Sequence, residues 1–129
     1  MLRRPAPHRA IPLLVTFLLV LAACVETSEA PDDCGAVAVT REATLAGERL
    51  EPASLDVCRG QEVTLVLRVE IDAVFHIHGY DAEAPAQQVT AGEERRITFE
   101  AVRAGQFPIA IHTAEVAEAT AGTLVVHES

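Results

Sequence analysis

The chain has 129 residues, half of them hydrophobic, and 10 basic against 19 acidic side chains give a formal charge of −9. That length holds one domain at most. The acidic excess argues against a nucleic-acid partner, whose phosphates would repel it, while a cation, a basic protein or a merely solvated surface stays open.

In chain order, Arg3, Arg4 and Arg9 form a positive stretch ahead of an apolar run from Ile11 to Ala23, interrupted only by Pro12 and Thr16. The run is shorter than the roughly 20 residues a spanning helix needs, so residues 1–23 read as a signal peptide. It ends in Leu21-Ala22-Ala23-Cys24, which resembles a bacterial lipoprotein lipobox. That resemblance implies cleavage before Cys24, a lipid on Cys24, and an exported chain anchored to the cell membrane, facing outside or the periplasm. The alternative is an ordinary cleavage site with a chance cysteine. Beyond Cys24 there are seven arginines and no lysine against all 19 acidic residues, twelve negative charges in excess.

Residues 24–33 (CVETSEAPDD) are acidic and polar with one proline, as expected of a flexible tether, so the domain should span residues 34–129. With Cys24 lipidated, Cys34 and Cys58 remain as an even pair in an oxidising compartment, as a disulfide requires. Such a bridge closes a loop of about 24 residues and contributes on the order of 3 kcal/mol. The rival role, thiolate metal ligands, lacks any CxxC spacing.

The hydrophobic period from here on is two. Val63, Leu65, Leu67 and Val69 alternate with Thr64, Val66, Arg68 and Glu70, the pattern of a strand with one face buried. Ile97 and Phe99, then Phe107, Ile109 and Ile111, repeat it, and Thr123–His127 closes the chain as another strand. Weaker strands are expected at Ala36–Thr40, Ser54–Cys58 and Gln87–Thr90. Gly60, Gly92 and Gly105 sit just before strands, where turns belong. Ala114–Ala121 (AEVAEATA) is the single helical candidate, about two turns long. Seven or eight short strands with regular turns make an all-β sandwich or barrel.

The segment FHIHGYD, Phe75 to Asp81, places His76 and His78 two apart, hence on one face of a strand. The stretch EPASLDVCRGQEVTLVLRVEIDAVFHIHGYD, with GQFPIAI at 105–111 and GTLVV at 122–126, resembles the cupredoxin-like family, a Greek-key β-sandwich. More narrowly, it is similar to small exported bacterial cupredoxin-domain proteins with an HxHGYD segment. The resemblance covers most of Ala46 to His127. It implies that His76 takes the first metal-ligand position and that His112 opens a later ligand loop on a neighbouring strand. The three imidazoles could then meet and bind copper, with Tyr80, Asp81 or Glu115 adding an oxygen.

The chain departs from the family's blue-copper pattern of two histidines, a cysteine thiolate and a weak axial methionine. The cysteine would fall near position 111, which is isoleucine, and Met1 leaves with the signal peptide. A non-blue site for binding, carrying or sensing copper is the expectation. The plainer alternative for His76 and His78 is a polar outer face hydrogen-bonded to backbone or carboxylate. For His112 it is a loop residue that never reaches the pair, and His127 should be solvent-exposed. A metal-free interaction module, monomeric and accessory to an envelope or membrane protein, is the alternative function. A copper superoxide dismutase-like enzyme is a remote one, because the next histidine follows His78 by 34 residues and no catalytic arginine motif is recognisable. No hydrolase triad or nucleophile elbow occurs, which points away from an enzyme.

Overall fold

The computed structural model describes residues 2–4, 6–7 and 28–129. The signal peptide run and Cys24 lie outside them. Nine strands follow one another: β1 Ala38–Ala46, β2 Arg49–Glu51, β3 Ser54–Cys58, β4 Glu62–Val69, β5 Ala73–Ile77, β6 Gln87–Val89, β7 Glu94–Glu100, β8 Gly105–His112 and β9 Ala119–His127. They form two sheets, one ordered β2-β1-β4-β7 and the other β3-β9-β8-β5-β6. β1 runs parallel to β4 and β3 parallel to β9, while the remaining pairs are antiparallel.

The alternation in β4 explains the packing. Val63, Leu65, Leu67 and Val69 are buried between the sheets against Ile97, Phe99, Phe75, Ile77, Ile109 and Ile111 of the same core. Each such side chain contributes about 1.5–3 kcal/mol by leaving water. Tyr80 is wholly buried at one edge of this core. Its ring packs edge-on against Phe107, with centroids 4.8 Å apart, and against Phe99 at 5.7 Å.

The expected helix over Ala114–Ala121 does not form, and no helix occurs among the described residues. Residues 113–118 are a loop, and β9 already begins at Ala119, paired with Ile111. Two local causes are visible. The Thr113 hydroxyl accepts the backbone N–H groups of Glu115 and Val116, a turn that competes with helix. Pairing of β9 with β8 then outweighs the weak propensity of a short alanine-rich stretch.

Cys34 and Cys58 are disulfide-bonded, with Cα atoms 5.3 Å apart. The bridge belongs to a larger clasp that holds the leading segment on the domain. The Arg41 guanidinium grips Asp33 with two bonds of 2.8 and 2.9 Å. Buried Gln61 donates to the Asp33 and Ala36 carbonyls and accepts from the Cys58 N–H. Further out, the Ser28 hydroxyl donates to Asp56. The leading segment thus touches the domain at Ser28 and again at Asp33.

Candidate metal site at the histidine pair

β5 alternates as its sequence predicts: Phe75 and Ile77 point into the core, and His76 stands on the outer face of the sheet. His78 follows on that face, where its N–H donates to the Pro108 carbonyl at 2.9 Å. The two imidazoles are neighbours, with ring centroids 4.5 Å apart and planes tilted by 54°. Gly79 ends the strand with φ of +83°, and a Cβ there would lie 2.9 Å from the Phe107 ring. Glycine lets the chain turn at this point with the aromatic packed against it.

Each imidazole holds a carboxylate. His76 Nε2 lies 2.5 Å from an Asp81 oxygen, and His78 Nε2 lies 2.7 Å from a Glu118 oxygen. The His76 side chain is 17% exposed, and His78 is 42% exposed. The hydrogen bond from His76 holds the Asp81 carboxyl below the usual carboxylate range. An ionised carboxylate only accepts, so in the neutral imidazoles both contacts put the proton on Nε2 and leave Nδ1 as the lone-pair nitrogen. Glu118 lies 40 residues from His78, and no local pattern announces that meeting. Asp81, by contrast, was within the FHIHGYD segment itself.

His112 lies across the ladder from Val74, two residues before His76, which faces Ala110. It is therefore a diagonal neighbour of His76 on the same face of the sheet. Its Nδ1 donates to the Ala117 carbonyl, next to the Glu118 that bonds His78, and pins the β8–β9 loop. Its ring borders a cleft of about 750 Å³ at the opposite end of β5, shared with Glu48, Asp72, Gln88 and Glu115. Glu115 thus lines the same cleft as His112. Tyr80 is removed from ligand duty. Its hydroxyl donates to the Arg103 carbonyl at 2.8 Å and accepts the Arg103 N–H at 3.1 Å. Burial of the phenol, opposed by these bonds and by the nearby guanidinium, raises its pKa. Among the described residues, no three His, Cys, Asp or Glu side chains converge as a ready set of metal ligands.

His127 also differs from expectation. It is largely buried at 14% exposure and is bonded to Asp56 at 2.9 Å. Parallel pairing of β3 with β9 sets Cys58 level with His127, so the ring leans over the β3 edge.

A blue-copper centre does not fit these residues. Position 111, where the resemblance would put the thiolate, is an isoleucine fully buried in the core. Cys34 and Cys58 are spent on each other, and Met1 is the chain's single methionine.

No family model matches the chain, and no curated protein matches it. Solved structures do. Auracyanin A, a "blue" copper protein from Chloroflexus aurantiacus, is 20% identical with a TM-score of 0.52, over 70% of this chain and 99% of its own. A multicopper oxidase from Campylobacter jejuni, a metallo-oxidase, is 18% identical with a TM-score of 0.57, over 81% of this chain. A multicopper oxidase from Pseudomonas thermotolerans is 19% identical with a TM-score of 0.51, over 71% of this chain. The chain spans only 27% and 30% of the two oxidases. At these identities the likeness speaks for architecture alone. With two sheets in this order and these neighbours, the domain has a cupredoxin-like fold.

Proposed function

We propose that the chain is an exported cupredoxin-like module, lipid-anchored through Cys24, that binds copper outside the membrane at His76 and His78. The observation that carries this reading is the imidazole pair itself, two rings 4.5 Å apart on an outer sheet face. Imidazole suits copper, zinc and nickel, and the Irving–Williams order favours Cu(II). Two protein nitrogens leave the other coordination positions to water, so the metal exchanges readily. That suits buffering, carriage or sensing better than catalysis. The lipobox-like Leu21-Ala22-Ala23-Cys24 supports the anchor.

The test is a Cu(II) titration of the full chain in detergent, followed by electron paramagnetic resonance. A nitrogen-ligand signal at one equivalent is expected, lost in His76→Ala and in His78→Ala. Its absence from the parent would overturn the copper reading. Cys24→Ala should move the protein from the membrane to the soluble fraction.

A second reading is a metal-free interaction module. It draws on the same pair, because both Nε2 atoms are already satisfied by Asp81 and Glu118. It predicts that histidine variants retain every property of the parent and that no metal signal appears.

A further inference from the structure

The two carboxylates on the imidazoles bear on which atoms would meet the metal. Asp81 and Glu118 come from different elements, the turn after β5 and the residue before β9. Both nonetheless arrive at the same ring nitrogen, Nε2, on adjacent histidines. Neither Nδ1 has a hydrogen-bonding protein partner among the described residues. A metal-ligating histidine characteristically gives its other N–H to a carboxylate, which fixes tautomer and ring orientation and raises ligand basicity.

We infer that His76 and His78 ligate a divalent copper ion through Nδ1, and that Asp81 and Glu118 are the positioning residues that hold both rings in the required tautomer. This rests on the copper reading above and specifies its atoms. It also accounts for the lack of three converging ligands, since the carboxylates stand behind the imidazoles and coordinate nothing. The imidazole face belongs to the divalent ion, because no thiolate or thioether is present to favour Cu(I). Glu118 further links the metal to the β8–β9 loop, which His112 holds at the adjacent Ala117 carbonyl.

The experiment is long-range proton–nitrogen NMR on the full chain in detergent, labelled with 15N-histidine, without metal and then with Zn(II) as a diamagnetic probe. Without metal, His76 and His78 should both show the Nε2–H tautomer. Zn(II) should move their Nδ1 resonances and leave Nε2 protonated. In Asp81→Asn and Glu118→Gln the tautomer preference of the facing ring should relax, and Cu(II) affinity should fall about 10- to 100-fold. Both replacements are isosteric and largely solvent-facing, so folding is preserved. If Zn(II) instead deprotonates Nε2, or if the carboxamide variants keep tautomer and affinity, the inference falls while copper binding stands. If the parent binds neither Cu(II) nor Zn(II), the copper reading falls with it.

Discussion

The Tyr80 hydroxyl bonds both backbone groups of Arg103, donating to its carbonyl and accepting its N–H. The Arg103 guanidinium carbon in turn lies 4.8 Å from the centre of the Tyr80 ring. One buried phenol thus ties the turn after β5 to the β7–β8 connection. Tyr80→Phe keeps the aromatic packing but leaves two backbone groups without their partner. It should cost about 1–3 kcal/mol in urea denaturation while the fold is retained. Tyr80→Ala, which also empties the ring's site, should cost about 3–5 kcal/mol. Equal midpoints for parent and Tyr80→Phe would show that the bonds contribute nothing.

Gly79 carries a positive φ and lies against Phe107. Gly79→Ala meets both the left-handed backbone penalty and a contact too short for carbon. A loss of about 1–3 kcal/mol is expected, together with a shift of the Phe107 ring resonances. An alanine variant with an unmoved Phe107 would contradict the contact.

Asp56 gathers donors from three parts of the chain: Ser28, Ser54 at 2.8 Å and His127 at 2.9 Å. Burial pushes its carboxyl up, but the hydrogen bonds from Ser28, His127 and Ser54 outweigh that, and its pKa ends lowered. A depressed folded-state value means that stability from Asp56 is fully present above the unfolded value of about 4 and is lost as pH falls through the lower folded value. Asp56→Asn should therefore cost about 1–2 kcal/mol at pH 7 and flatten the loss of stability as pH falls below the unfolded value of about 4. Chemical denaturation at three pH values checks it, and parallel acid limbs for the two proteins would refute the assignment.

His112 stands one diagonal step from His76, and its Nδ1 is committed to the Ala117 carbonyl of the β8–β9 loop. His112→Ala should leave the Cu(II) resonance spectrum unchanged. Amide exchange at Val116, Ala117 and Glu118 should accelerate, with a stability cost of about 0.5–1.5 kcal/mol. Loss of the copper spectrum in this variant would bring His112 back among the ligands.

Much of the sandwich was legible because period-two alternation is a direct image of burial. Val63, Leu65, Leu67 and Val69 had no other way to share a face. The histidine pair was legible for the same reason. The level of His112 was not legible, because alternation tells which side of a sheet a residue occupies, whereas position along the ladder depends on pairing. Glu118 was invisible because its partner is remote in sequence, and Ala114–Ala121 misled because propensity ignores the neighbouring strand. Position 111 told plainly that an isoleucine stands where the resemblance would put a thiolate.

The clasp at Ser28 and Asp33 carries a consequence for where a partner could be met. For a chain lipidated at Cys24, four peptide steps separate the anchor from Ser28, a reach of about 14 Å even when fully extended. While the Ser28 contact holds, a domain so anchored would stay close to the bilayer. Whatever it meets would then be encountered by lateral diffusion in the plane of the same membrane leaflet, as a two-dimensional search rather than one through the bulk.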